Sequence, residues 1–331
     1  MPLHMLFGPE DLLRCRFAIS PLGQTHEAVR TLRRRERHGY HLPWLRRIGR
    51  AAEGLDLTEL LLLMPRHGGY TPDFLGPPPA VPDASFEDEL ARLRATDPAL
   101  ARHELTLSLA CTPGAADSPL GRAMLHDPAA TVRRLADITE RAWRALIKED
   151  WPRLRTLLEA DIAYRARQLA EGGLERLFED LRPRMSWADR TLTVHALHVS
   201  ARTRTQTLDG RGVLLMPSVF VWPDVVSGFI PPWQPAVIYP ARGVGGLWRE
   251  PDAAAPDALV RLLGANRAAI LADLEEPAST SVLARRHRLA PSTVSAHLAV
   301  LRAAGLLVSR RRGHEVRYER TPLALALLAG G

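Results

Sequence analysis

The side chains best suited to bind an anionic polymer are concentrated near the C-terminus. Arg310, Arg311 and Arg312 form a run of three guanidinium groups, and Ser292 and Thr293 begin a hydroxyl-rich segment shortly before them. Guanidinium groups bind phosphate oxygens through paired hydrogen bonds, and hydroxyl groups bond to phosphates or base edges. The chemistry that this pattern predicts is recognition of a nucleic acid.

Two predicted helices precede the arginine run. Residues 281–288 have helical spacing of their apolar side chains, and Pro291 suits the first position of a second helix that extends to about Ala303. Gly305 ends this second helix, whose inward-facing side chains are Val294, Leu298 and Leu301. A helix, a turn and a second helix form the motif that places its second helix in the DNA major groove.

Two predicted strands follow the helix pair. They cover residues 306–309 and 315–320, on either side of the basic loop at 310–314. Two apolar runs joined by a loop that contains glycine predict a β-hairpin. The last quarter of the chain is therefore predicted to be a winged helix-turn-helix, with the hairpin as its wing.

The run from Pro291 to Leu307, with Ser-Thr-Val-Ser-Ala-His-Leu near its start and Ala-Gly-Leu near its end, resembles the recognition-helix signature of ArsR/SmtB-type transcriptional regulators. The whole chain resembles a long subgroup of that family with an N-terminal helical domain of uncharacterised role. The resemblance implies a repressor that binds a double-stranded DNA operator as a homodimer. Two positions depart from the family pattern: Ala290 replaces a capping serine and Arg288 replaces a turn glycine.

Ten side chains of this region are predicted to contact DNA. They are Ser292, Thr293, Ser295, Ala296, His297, Arg302, Arg310, Arg311, Arg312 and His314. The outward face of the second helix contains none of the Arg, Asn or Gln side chains that read guanine or adenine bidentately. Phosphate contacts and DNA shape are therefore expected to contribute much of the binding.

Metal sensing is the best-known activity of the family that the chain resembles, but the family's ligand positions are not matched here. Residues 283–288 contain no cysteine, and the tail at 321–331 contains neither acidic residues nor histidine. We therefore expect no metal or other cofactor. No nucleophile elbow, phosphate-binding loop or dinucleotide fingerprint is present, so we do not expect an enzyme. An enzyme or a metal-responsive sensor with an attached DNA-binding domain stays the alternative.

The predicted fold class is α+β, with three parts. Residues 1–184 have helical periodicity and are predicted to form a regulatory or dimerisation domain, and residues 185–250 alternate like the strands of a small antiparallel β unit packed on it. The winged domain covers residues 257–331, after a predicted linker at 251–256 rich in alanine and proline.

Charge and composition agree with these expectations. The formal net charge is +7, and residues 257–331 hold 11 arginines against 6 acidic residues, so the excess charge coincides with the predicted DNA-binding domain. No apolar run is long enough to cross a bilayer, and we expect a cytoplasmic protein with no membrane association.

Aromatic residues are unusually dense just before the predicted linker. Six of the 19 aromatics lie within 29 residues: Phe220, Trp222, Phe229, Trp233, Tyr239 and Trp248. Core packing is the commoner explanation, because aromatic side chains dominate core burial. The alternative is a pocket near Trp222 and Trp233 for a small, largely apolar effector.

Overall fold

The computed structural model describes residues 2–34, 41–65, 69–179, 181, 184–195, 198–199, 205–222, 224–229, 231–248, 257–312 and 315–329. Its contacts divide the chain into two compact units. Unit 1 comprises Met1–Arg33 and Ile48–Ala241, and unit 2 comprises Arg34–Arg47 and Arg242–Gly331. The predicted linker at 251–256 lies outside the described residues.

Unit 1 is mainly helical. Its helices are α1 (Pro9–Leu13), α2 (Pro21–Arg33), α4 (Gly49–Glu53), α5 (Thr58–Leu62), α6 (Phe86–Arg94), α7 (Pro98–Leu109), α8 (Pro119–His126), α9 (Pro128–Leu146) and α10 (Trp151–Glu179). Helix α3 (Leu42–Arg47) lies between α2 and α4 in the sequence but belongs to unit 2. Asp97 and Asp127 cap α7 and α9 by accepting first-turn N–H groups, as their Asp-Pro pairs predict. The backbone of α10 is kinked at Gly172 and at Gly173, where φ is +66°.

The strands of unit 1 form two mixed sheets. They are β1 (Leu3–Leu6), β2 (Arg16–Phe17), β3 (Met185–Ala188), β4 (Thr191–Val194), β5 (His198–Val199), β6 (Thr205–Thr207), β7 (Leu214–Ser218), β8 (Val226–Gly228) and β9 (Ala236–Pro240). One sheet has the order β3-β4-β1-β6 and the other the order β2-β7-β9-β8-β5. The pairs β1·β6, β2·β7, β7·β9 and β5·β8 are parallel.

Helix α9 is the central helix of unit 1. It packs against α2 and against α4 to α8, and its buried stripe includes Val132, Leu135 and Ile138. Near its C-terminal end, Trp143 stacks on Phe86 with ring centroids 4.4 Å apart. The apolar face of α9 is therefore buried in a core to which residues distant in sequence contribute.

Unit 2 contains the winged fold. The elements of unit 2 are α3, α11 (Asp257–Leu263), α12 (Ala265–Asp273), β10 (Ala278–Ser279), α13 (Thr280–His287), α14 (Pro291–Ala303), β11 (Leu307–Arg312), β12 (Glu315–Arg320) and α15 (Pro322–Ala329). The three strands form an antiparallel sheet with the order β10-β12-β11. Its core includes the fully buried side chains of Leu283, Val294, Leu298 and Leu301.

The predicted α+β class, with a C-terminal winged helix-turn-helix, is confirmed. The pairing within the β region differs from the purely antiparallel unit that the sequence predicted. Residues 185–240 do not close a sheet by themselves, because β1 and β2 from the N-terminus pair with β4, β6 and β7. Residues 1–33 and 48–241 lie in one unit, and the predicted domain boundaries stay predictions.

Candidate nucleic-acid interface

The turn between α13 and α14 is made without the residues that usually favour it. Arg288 ends α13 with its backbone in the left-handed region, at φ +53°. Glycine adopts this conformation freely, whereas a residue with a side chain adopts it at some energetic cost. Ala290 occupies the N-cap of α14 with extended backbone angles and provides no side-chain acceptor. The first-turn N–H groups of α14 therefore receive no side-chain cap from Ala290, and a DNA phosphate is a chemically suitable acceptor for them.

Helix α14 has one buried face and one exposed face. Val294, Leu298 and Leu301 have no exposed surface and anchor the helix in the core of unit 2. The predicted DNA-contacting side chains of Ser292, Thr293, Ser295 and Ala296 are all exposed. Their alternation with the buried positions follows the 3.6-residue helical period, so the helix presents small, uncharged groups to a partner.

Two further predicted residues flank that face. His297 is half-buried, and its Nε2 is enclosed without a hydrogen-bond partner among the described residues. Arg302 is exposed near the C-terminal end of α14, and its Nη1 donates to Ser309 Oγ over 3.4 Å. The Arg302 side chain is therefore exposed and able to contact DNA, whereas the His297 side chain packs partly against the protein.

The wing carries the predicted arginines on β11. Arg310 is exposed and its Nε lies 3.7 Å from Glu319 Oε2, and Arg311 is also exposed. Arg312 pairs with Glu315 in the strand register. The side chain of Arg312 and the whole of His314 lie outside the described residues. Since the side chains of successive strand residues point to opposite faces, Arg310 and Arg311 lie on opposite faces of the hairpin.

Three basic residues that sequence reasoning missed belong to the same region. Arg285 on α13 and Arg288 in the turn are exposed, and within the described part of the chain neither forms an ion pair. Arg317 on β12 directly faces Arg310. By contrast, Arg286 lies 3.5 Å from Asp273. The signal that could have identified Arg285 is its place on the helix that crosses the DNA backbone in such motifs.

Two family models match this chain in separate segments. Residues 262–310, from the end of α11 into β11, match the model of a helix-turn-helix domain. Unit 2 carries a helix-turn-helix domain. Helix-turn-helix domains bind DNA in transcriptional regulators, so this match supports the nucleic-acid chemistry predicted from α14 and the wing. Residues 91–245, from within α6 to beyond β9, match a family of unknown function (DUF5937). No curated protein and no solved structure matches the chain.

The aromatic residues upstream of the helix-turn-helix domain do not form one cluster. Trp248 stacks on Trp44 within unit 2, with ring centroids 5.9 Å apart. In unit 1, Tyr239 is buried in one hydrophobic core, whereas Trp233 packs at the edge of another that contains Phe229. Trp222 is half-buried after β7 and does not line the cleft that is formed by Arg16, Pro79, Trp233 and their neighbours.

The described residues contain no group of three or more His, Cys, Asp and Glu side chains arranged to hold a metal ion. Among the helices of the same residues, none has the length and apolar character needed to cross a bilayer.

Proposed function

We propose that this chain is a transcriptional repressor of the ArsR/SmtB type that binds a double-stranded DNA operator as a homodimer. The observation that carries the proposal is the exposed face of α14, which is preceded in sequence by the exposed cations Arg285 and Arg288 and followed by a basic wing. The match of residues 262–310 to a helix-turn-helix domain supports it.

In this proposal α14 enters the major groove and the wing contacts the backbone or the minor groove. Thr293 and Ala296 are suited to contact thymine methyl groups, and Ser292 and Ser295 to bond base edges or phosphates. These contacts discriminate weakly between bases. Most of the affinity is therefore assigned to the arginines, which neutralise phosphates and attract DNA of any sequence.

The proposed homodimer mirrors a two-fold symmetric operator, as in other helix-turn-helix regulators. Unit 1 is assigned dimerisation, effector sensing or both. An effector would change operator affinity only through different affinities for the DNA-competent and DNA-incompetent states. Sedimentation of the full chain with and without operator DNA tests the dimer, and a monomer bound to a single half-site contradicts it.

The test of DNA binding begins with genomic footprinting of the sites occupied in cells. A bound sequence is then titrated with the purified full chain over a range of salt concentrations. Replacing Arg310, Arg311 and Arg312 together with alanine should flatten the slope of log affinity against log salt by up to about three, because each phosphate contact contributes about −0.9. Affinity should fall for operator and random DNA alike.

The matched control removes the same charge from unit 1. Arg133, Arg141 and Arg167 are exposed helical arginines, and their joint replacement with alanine changes the net charge equally. We expect the control to keep most of the salt dependence. An unchanged slope in a folded wing variant, or an equal change in the control, contradicts the proposed role of the wing.

A further inference from the structure

A cleft of about 320 Å³ in unit 1 combines cationic groups with a flat apolar wall. It is lined by Arg16, Pro78, Pro79, Ala80, Arg92, Pro232, Trp233 and Gln234. These residues come from β2, from the proline-rich loop before α6, from α6 itself and from the segment before β9. Its volume is at the small end of the range typical of small-molecule sites.

The guanidinium of Arg16 is incompletely satisfied. Its Nη2 donates to Pro79 O at 2.7 Å and to Gln234 Oε1 at 2.9 Å, while its buried Nη1 has no hydrogen-bond partner among the described residues. Leaving a buried donor unpaired is energetically unfavourable, and more so when the group is charged. An acceptor brought by a ligand would remove that cost.

Arg92 adds a second cation to the same cleft. Its Nη1 donates to Pro78 O at 2.7 Å, and within the described residues neither Arg92 nor Arg16 forms an ion pair. Burial, together with repulsion from Arg92, lowers the pKa of Arg16 below its ordinary value. Two neighbouring guanidinium groups that form no ion pair within the described residues favour an anion between them, because it offsets their repulsion and accepts their hydrogen bonds.

Hydrogen bonds fix the position of Trp233, which forms the apolar wall of the cleft. Trp233 Nε1 donates to Glu104 Oε1 at 2.9 Å, and Glu104 Oε2 accepts the Phe74 N–H at 2.8 Å. Because its single polar atom is engaged by Glu104, the indole of Trp233 offers the cleft carbon surface. Arg211 Nη1 also donates to Trp233 O at 3.0 Å, so both the ring and the backbone of Trp233 are fixed.

We propose that this cleft binds a small organic anion, a carboxylate or a phosphate ester with an apolar or aromatic body. Arg16 and Arg92 bind the anionic group, and Trp233 and Pro232 contact the apolar body. The cleft thereby differs from the largely apolar effector pocket expected near Trp222 and Trp233, because two guanidinium groups line it. This inference concerns unit 1 alone and does not depend on DNA binding.

The test is isothermal titration calorimetry of the full chain without DNA. Benzoate and phenyl phosphate are the anionic probes, and they distinguish carboxylate from phosphate recognition. Benzyl alcohol is the neutral probe of similar size. We expect saturable binding of at least one anion at millimolar concentrations or below, and no saturable binding of the alcohol over the same range.

Two substitutions on α6 give a matched comparison. Arg92→Gln removes a cleft cation, whereas Arg94→Gln removes a cation that pairs with Asp137 and Glu140 elsewhere. Arg92→Gln should weaken anion binding by roughly tenfold or more, because a charge-assisted hydrogen bond is lost, and Arg94→Gln should leave it unchanged.

Three results would overturn the proposal. They are no saturable binding of either anion to the wild type, equal binding of the alcohol, and unchanged affinity in Arg92→Gln. Thermal unfolding of each variant establishes that it is folded, and Arg92→Lys provides a second folded variant, in which the charge is kept and binding should be partly retained. Since no DNA is present, failure here is distinct from failure of the proposed DNA binding.

Discussion

Arg310 and Arg317 occupy directly opposite positions on the two wing strands, so two positive charges face each other across the hairpin. Their side chains are 66% and 40% exposed, and each lies near one glutamate, Glu319 at 3.7 Å and Glu315 at 3.4 Å. Like charges opposite each other destabilise a strand pair. Such an arrangement is understandable if the charges serve an anionic partner rather than the fold.

Replacing Arg317 with threonine should therefore separate stability from DNA binding. Removing the repulsion is expected to raise the free energy of unfolding by roughly 0.2–1 kcal/mol, since threonine also suits a strand. DNA affinity should fall, and its salt slope should flatten by about one. Urea unfolding and salt-dependent DNA titration measure the two effects. A parallel loss of stability and affinity would show that Arg317 supports the wing itself.

The missing cap of α14 predicts a stabilising substitution. Ala290 has the extended backbone of an N-cap but no side-chain acceptor, so Ala290→Ser should raise the free energy of unfolding by about 0.5–2 kcal/mol. Chemical denaturation of the full chain measures the change. Ala299→Ser, at an exposed position within the same helix, is the control and should not stabilise. Equal effects of the two substitutions would exclude capping as the cause.

Glu89 predicts a pH-dependent stability in unit 1. Burial raises the pKa of its carboxyl from 4.5 to about 8, although the Leu22 N–H donates to it. Because the folded pKa lies above the unfolded one, the folded state favours the protonated form. The contribution of Glu89 to stability is complete below about pH 4.5 and is lost as the pH rises towards about 8.

Glu89→Gln should abolish that loss, because glutamine keeps an acceptor for Leu22 and does not ionise. The variant is expected to be more stable than the wild type at about pH 8 by up to about 4–5 kcal/mol, with little difference near pH 5. Denaturation at several pH values measures this. Glu87→Gln, on the exposed face of α6, is the control. Identical pH profiles for wild type and Glu89→Gln would contradict the assignment.

Operator binding is predicted to be independent of metal ions. The motivation is the absence of cysteine from residues 283–288 and of acidic or histidine side chains from residues 321–331. Gel shifts with a chelator, and with zinc, cadmium or arsenite, should give the same affinity. A specific and stoichiometric effect of any of these metals would disprove the prediction.

The sequence by itself determined the elements whose signals are local. The boundaries of α14 follow from Pro291 and the buried stripe at Val294, Leu298 and Leu301, and the wing follows from a short hairpin pattern. The caps at Asp97 and Asp127 are likewise set within a few residues. Each of these depends on residues that are close together in the sequence, so a local pattern predicts it directly.

Only the tertiary structure decided the sheets of unit 1 and its cleft. The parallel pairing of β1 with β6 and of β2 with β7 joins the N-terminus to strands near residues 205 and 214, and no periodicity specifies a strand's partner. Arg16 meets Gln234 across 218 positions of sequence, and Trp233 meets Glu104 across 129. Such contacts form because burying a common core brings distant segments together, and local sequence carries no record of that choice.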